Sequence, residues 1–443
     1  MRFPEQGTPH KELMSRLRDA ASRDADWRGG KIFSLVYFAG DDVAGVLKEA
    51  YATAFYSNGL GPGAFKSLKK FESEVIAMTV DLLRYPDAAG NMTSGGTESI
   101  LMAVKSARDW GRAEKGITQP QIVVPVTAHP AFDKSANYLG VEIVHTPLRA
   151  DLRADVEAMR DATTENTVLV AGSAPCYPFG VIDPISGIAV LAKERGVCCH
   201  VDACLGAYLL PFVERLGYSV RPWDFRVEGV TSISADLHKY GFSARGASTI
   251  LYRDAELRRH QFFATSDWPG GLYGSPTLAG SRPGGAIAAA WAVLNYLGVD
   301  GYTRLARDIM DTTTALIDGI NRIQGLKVLG QPDMSVFAFG SDSVDIYAVA
   351  DQLDAAGWHP DRQQLPPSLH CMVTPAHKDV ARPFLADLKR AVDDVSVNAP
   401  APGGRAAMYG MLDKMPDRAA VRDVVLESMD RLTLVKEDPT AVD

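Results

Sequence analysis

Val230-Thr231-Ser232-Ile233-Ser234-Ala235-Asp236-Leu237-His238-Lys239-Tyr240-Gly241 opens as a short apolar strand and closes on a lysine beside a glycine-containing turn. A lysine just past a strand, away from the solvated helices, falls at the floor of a pocket. Partial desolvation and cationic neighbours there lower an amine's pKa and make it a nucleophile toward a carbonyl group. The plainer reading is a surface lysine, so the weight of Lys239 depends on its company.

Upstream, Val197–Ala203 is another apolar run, and it ends in His200-Val201-Asp202-Ala203-Cys204. Alternation puts His200, Asp202 and Cys204 on one face. A metal reading needs a second ligand pair elsewhere, and the chain offers none, so no metal is expected. A lone strand-end carboxylate suits pairing with a pyridine nitrogen, which keeps the ring protonated and electron-accepting. Capping the next turn is the bland alternative.

Further upstream, Ser94-Gly95-Gly96-Thr97-Glu98 heads a helical pattern through Ile100, Leu101, Val104 and Ala107. Two glycines admit a ligand close to the backbone. The free N–H groups of the first turn and the hydroxyls of Ser94 and Thr97 make a phosphate cradle. Ser or Thr before Glu is equally a capping signature. Between cradle and carboxylate, His129 follows the run Gln121–Val126 and could stack on a ring. Phosphate cradle, strand-end Asp and post-strand Lys, in this order, are the layout of fold-type-I pyridoxal-phosphate (PLP) enzymes.

The surrounding pattern agrees. Apolar runs at 121–126, 167–171, 197–203, 230–234 and 248–252 alternate with helix-like stretches such as Lys66–Leu83 and Gly187–Gly196. That alternation predicts an α/β fold with a mostly parallel sheet covered on both faces. The expected parts are an N-terminal segment (1–52), a large PLP-binding α/β domain (53–297) and a small α+β C-terminal domain (298–443). In the last, helices at 302–323 and 344–356 and strands at 334–339 and 369–373 precede a tail broken at Ala399–Gly404.

Composition narrows the function. Hydrophobic residues at 46% and charged residues at 23% describe a soluble globular protein. A net charge of −8 with no run of Lys or Arg argues against a nucleic-acid partner. The first thirty residues lack both a signal-peptide core and a membrane span, so a soluble, cytoplasmic protein is expected. Five cysteines without a CxxC pair read as reduced, buried thiols.

Several stretches resemble the sphingosine-1-phosphate lyases: Thr93–Ile100, Ala128–Lys134, His200–Gly206, Ser234–Gly246, Gly280-Ser281-Arg282-Pro283-Gly284 and Trp358–Gln364. The similarity runs from about Lys31 to the end and places the chain beside the PLP-dependent group II decarboxylases in fold. The resemblance implies fold type I with a seven-stranded sheet, and PLP held by Lys239 as a Schiff base. Asp202 would pair with the pyridine nitrogen and His129 would stack on the ring. Ser94, Gly95, Gly96, Thr97, Ser173 and His238 would complete the cofactor site. Gly280 and Ser281 would reach the phosphate from a neighbouring subunit, implying a homodimer with shared sites. Tyr177 matches a tyrosine near the reacting carbons.

The chain departs from that family where the substrate phosphate binds. Tyr37 matches one phosphate ligand, and Arg245 stands where the family has Lys, a change that alters geometry while keeping the charge. Gly61, in Leu60-Gly61-Pro62-Gly63, replaces a His. The expected reaction is retro-aldol C2–C3 cleavage of a phosphorylated long-chain amino alcohol to an aldehyde and phosphoethanolamine, with Lys239 or Tyr177 (through water) as base. The rivals are an amino-acid decarboxylase, a lyase for another amino alcohol and a catalytically silent PLP-binding protein.

Overall fold

The computed structural model describes residues 3–397, 406 and 417–434. Its large sheet has seven strands: β1 (Ala89–Thr93), β2 (Gln121–Pro125), β3 (Glu142–Thr146), β4 (Thr167–Ser173), β5 (Cys198–Asp202), β6 (Ser232–Ala235) and β7 (Ser248–Tyr252). They lie in the order β1-β7-β6-β5-β4-β2-β3. The run from β3 to β6 is parallel, and β7 is antiparallel to both β6 and β1. The sheet is therefore mostly parallel, as the spacing of the apolar runs predicts.

β2, β4, β5, β6 and β7 are buried at every position. Helices cover both faces, so these strands read as continuous apolar runs. β1 and β3 are the edges, and the apolar pattern misses both. β1 is Ala-Gly-Asn-Met-Thr, poor in strand formers, and β3 is half-exposed. Pairing with β7 and β2 recruits them, which is a tertiary effect that local composition does not carry.

After the β8 (Phe263–Thr265) and β9 (Tyr273–Ser275) hairpin, a long helix spans Gly284–Asn321. It is broken in its middle by Gly298, whose φ of 53° is left-handed. The chain then builds a small C-terminal sheet: β10 (Lys327–Val328), β11 (Val336–Gly340), β12 (Asp361–Gln363) and β13 (Ser368–Met372), in the order β10-β11-β13-β12. Helix Ile346–Ala355 packs on it, and helix Ala381–Val397 packs against that helix. The expected break at Ala399–Gly404 lies outside the described residues.

The small domain's core contains Phe337, Phe339, Trp358 and Phe384, and it also takes in Phe33 from near the N-terminus. Phe33 is fully buried, and its carbonyl accepts the Met372 N–H at 2.8 Å. Ile32 bridges to His359. The N-terminal segment is thus fastened to the C-terminal sheet, and this brings Ser34 and Tyr37 to the cleft between the two sheets.

Candidate active site

Lys239 sits in the loop that leaves β6. That loop folds back on β7: His238 N–H donates to the Ala247 carbonyl at 3.0 Å, and Ala247 N–H donates to His238 Nδ1 at 3.2 Å. The fixed His238 ring faces Asp236 Oδ2 at 3.6 Å, and Lys239 Nζ approaches the same oxygen at 3.1 Å. Asp236 is almost wholly buried, and among the described residues nothing hydrogen-bonds either oxygen with good geometry. Burial pushes its carboxyl up, but the Lys239 ammonium and the polar contact with the His238 ring outweigh that and hold it well below the usual carboxylate range.

The same pair corrects an expectation about the lysine. Among the described residues, the groups that act on it most strongly are Asp236, Cys204 and Asp202, none of them a cation. Burial pulls the Lys239 amine down, yet Asp236 outweighs it, and the amine ends above its ordinary value. Without cofactor it is an ammonium ion.

At the other wall, the helix Gly96–Lys115 begins at Gly95 with no side-chain cap on its first N–H groups. Those donors and the helix dipole face the cavity. Ser94 is otherwise engaged, because its N–H and hydroxyl both donate to Glu98 Oε2, at 2.7 and 2.6 Å. The turn therefore caps no helix N–H, and those donors stay open to the cavity. A Cβ on Gly96 would lie 2.8 Å from both Asp236 Oδ2 and Cys204 Sγ, so only glycine fits there.

Between these walls lies a cavity of about 350 Å³, lined by Ser94, Gly95, Gly96, Thr97, His129, Asp202, His238 and Lys239 among others. Eight of the expected cofactor residues thus meet in one space. Asp202 ends β5 and receives the Cys204 N–H at 3.1 Å and the Ser234 hydroxyl at 3.3 Å, both on Oδ1. His129 Nδ1 accepts the Ala131 N–H at 3.1 Å, which leaves its proton on Nε2. Burial pulls its pKa down, so the ring is neutral. The metal alternative loses its imidazole, because His200 Nδ1 and Nε2 are engaged with the Ser232 and Ser234 hydroxyls at 2.9 and 3.2 Å.

The remaining candidates lie outside this lining. Ser173, at the end of β4, is buried, and its N–H donates to Asp183. Gly280 and the exposed Ser281 follow β9. Ser281 borders a smaller pocket with Ser94 and Glu98, and its hydroxyl accepts from Asn58 Nδ2 at 3.0 Å. Tyr37 and Arg245 meet, with the guanidinium 5.5 Å from the phenol ring centre. Tyr177 donates its hydroxyl to Asp361 Oδ2 at 2.7 Å, while Ser34 donates to Asp361 Oδ1 at 3.0 Å. Burial and then Asp361 push the Tyr177 phenol far up, so it stays protonated. Gly61 has only Phe65 near its open Cβ position, at 3.8 Å.

Three residues at the site went unassigned in the sequence. Asp236 stands three positions before Lys239, a signal that was present in the quoted stretch. Glu98 joins the cradle to the loop after β9, because its Oε1 accepts the Leu278 N–H at 2.9 Å. Asp361 meets Tyr177 across 184 positions, which no local pattern announces.

The cavity suits PLP. Helix N–H donors stand at one wall and a carboxylate with one uncommitted oxygen stands apart from them. A lysine amine lies within reach, opposite the buried Asp236. Comparison with known proteins agrees. Residues 3–341 match the pyridoxal-dependent decarboxylase conserved domain. The chain is 46% identical over 429 residues to the sphingosine-1-phosphate lyase of Oryza sativa subsp. japonica, covering 95% of this chain and 79% of that one. It is 34% identical to a probable sphingosine-1-phosphate lyase of Legionella pneumophila, covering 92% and 70%. The structure of the Burkholderia pseudomallei sphingosine-1-phosphate lyase superimposes with a TM-score of 0.91 at 39% identity, over 98% of both chains. Glutamate decarboxylase of Lactobacillus brevis shares the fold, with a TM-score of 0.79 at 19% identity over 90% of this chain and 96% of that one. With relatives of this kind matched along nearly its whole length, the chain belongs to the sphingosine-1-phosphate lyase family of PLP-dependent enzymes.

Proposed function

We propose that this lyase cleaves a phosphorylated long-chain amino alcohol of the sphingosine-1-phosphate type between C2 and C3, releasing a long-chain aldehyde and phosphoethanolamine. The observation that carries the reading is the meeting of Arg245 with Tyr37, six residues past Lys239 on one side and from the N-terminal segment on the other. A guanidinium and a phenol together form a donor set for a phosphate head group. The names of the relatives point the same way.

When bound, PLP supplies an electron sink conjugated to the substrate amine. In this reading Lys239 Nζ anchors it, and Asp202 pairs with its ring nitrogen. His129 covers the ring face. The N–H groups of Gly95, Gly96 and Thr97, with His238, hold its phosphate end. Lys239 is not the base that starts cleavage, because Asp236 keeps a free Lys239 amine protonated. Tyr177 Oη, with its own hydrogen committed to Asp361, offers lone pairs to the substrate C3 hydroxyl. As that hydroxyl's proton moves to Tyr177 Oη, Tyr177 passes its own to Asp361 Oδ2. Lys239 then holds the proton to be returned at C2.

The paired-subunit reading, with Gly280 and Ser281 serving a neighbour's site, is supported by exposed Phe55, Tyr56, Trp268, Leu272 and Leu278 around that loop. Five buried, unpaired cysteines fit a reducing cytoplasm. No helix among the described residues is long and apolar enough to cross a membrane.

The test is turnover with sphingosine-1-phosphate, with shorter phosphorylated amino alcohols and with amino acids, assayed for aldehyde and carbon dioxide. Aldehyde release that needs Lys239, and falls at least a hundredfold in Tyr177→Phe, is expected. Carbon dioxide from an amino acid without aldehyde release would replace the lyase reading with decarboxylation.

A further inference from the structure

The floor of the cavity carries a hydrogen-bond chain that the lyase reading does not use. β5 and β6 pair in parallel with His200 opposite Ser232 and Asp202 opposite Ser234. Side-chain alternation puts all four on one face. His200 and Ser234 are fully buried. The contacts run Ser232 Oγ to His200 Nδ1 (2.9 Å), His200 Nε2 to Ser234 Oγ (3.2 Å) and Ser234 Oγ to Asp202 Oδ1 (3.3 Å). The Cys204 thiol also donates to Ser234 Oγ at 3.3 Å.

The direction of the chain follows from valence. A carboxylate only accepts, so the single hydroxyl hydrogen of Ser234 goes to Asp202. Ser234 then has two lone pairs, one for the Cys204 thiol and one for a ring N–H. His200 must therefore carry its proton on Nε2, and Nδ1 accepts from Ser232. The opposite tautomer would turn the Ser234 hydrogen to the imidazole and point a lone pair at Asp202. Burial pulls His200 down to about 4, so the ring supplies a dipole and no charge at neutral pH. Every dipole in the chain points toward Asp202. With the Cys204 N–H, Oδ1 is satisfied twice, and no described residue donates to Oδ2.

We propose that Ser234 and His200 are positioning residues for Asp202, and that their directional chain locks one carboxylate oxygen so the other is presented, charged, to the ring nitrogen of bound PLP. This rests on the pairing of Asp202 with that nitrogen. Lys239 and the phosphate cradle hold the cofactor by other means, so the chain sets the affinity and electronic state of PLP and not its entry.

The experiment resolves PLP from the purified holoenzyme and measures the PLP dissociation constant and the visible circular dichroism of the rebound cofactor. It compares wild type, Ser234→Ala, Ser234→Cys, Asp202→Asn and the double variant Ser234→Ala with Asp202→Asn. A hydrogen bond to a charged group predicts about a five- to tenfold weaker PLP affinity in Ser234→Ala, with kcat lowered and KM changed less than twofold. Cysteine keeps the volume but donates weakly, so Ser234→Cys should follow Ala; a filler role would make it follow wild type and overturn the proposal. In the Asp202→Asn background, Ser234→Ala should add nothing. An equal loss there, or wild-type affinity and dichroism in Ser234→Ala, also overturns the chain while leaving Asp202's role intact. Wild-type affinity in Asp202→Asn would instead sink the Asp202 assignment itself. Melting of the cofactor-free variants detects any loss of fold, and the Cys variant then carries the decision.

Discussion

Asp236 is the residue that reverses what the sequence predicts for Lys239. A lysine destined to attack a carbonyl was expected to have a lowered pKa, yet a buried carboxylate 3.1 Å away keeps it charged. Capture of PLP must therefore wait for a proton to leave. Asp236→Asn should move the pH midpoint of PLP capture by the resolved protein at least one unit downward, measured as absorbance against time from pH 6 to 10. An unmoved midpoint would show that Asp236 does not govern the amine. Gly61 gives a second test at this scale. Its Cβ position is open, so Gly61→His needs no backbone shift. If the loop borders the head group, KM for the phosphorylated substrate should fall roughly tenfold with kcat unchanged. An unchanged preference between phosphorylated and unphosphorylated substrates would place Gly61 away from the head group and leave the choice of amino alcohol to Tyr37 and Arg245.

Elements built from local pattern were legible, and those built by neighbours were not. The buried central strands and the helix Lys66–Leu82 stand within a residue or two of their apolar patterns. β1 exists because β7 pairs with it, and β12 because β13 does. The site divides in the same way. The cradle, Asp202 and Lys239 each lie at an element's end, where a motif is contiguous, whereas Asp361 reaches Tyr177 only through the small domain. The turn that carries Tyr177 is pinned there too. Gly180 has φ of 67°, its carbonyl accepts the Asp333 N–H, and a Cβ would collide with the Val336 carbonyl in β11. Gly180→Ala should destabilise the protein by roughly 3 kcal/mol or more and lower kcat through Tyr177, read from the urea midpoint and a turnover assay. Wild-type values would mean that the turn and β11 can separate freely.

For the whole molecule, buried titrating groups set the acid limit of stability. Burial pushes His200 and His370 down to about 4. Their contribution is complete above about pH 6.5 and is lost as pH falls toward 4, because the unfolded chain takes up protons that the folded one refuses. Each loss approaches about 3 kcal/mol by pH 4. Asp183 acts oppositely. Burial raises it to about 6 against its backbone hydrogen bonds, so its contribution is complete below about pH 4 and is lost as pH rises through 6. Two histidines outweigh one carboxyl, so the cofactor-free protein should melt progressively lower from pH 6.5 to 4, by calorimetry. A flat profile would mean that water reaches these imidazoles.

The fastening of Phe33 into the C-terminal core also has a consequence in time. During synthesis that aromatic side chain emerges some three hundred residues before Phe337, Trp358 and Phe384, the partners that bury it. At about 5–20 residues per second the ribosome needs roughly 15–60 s to deliver them. For that interval the nascent chain carries an exposed, unclaimed anchor beside a sheet already able to form. A stretch translated late is what seals one translated early.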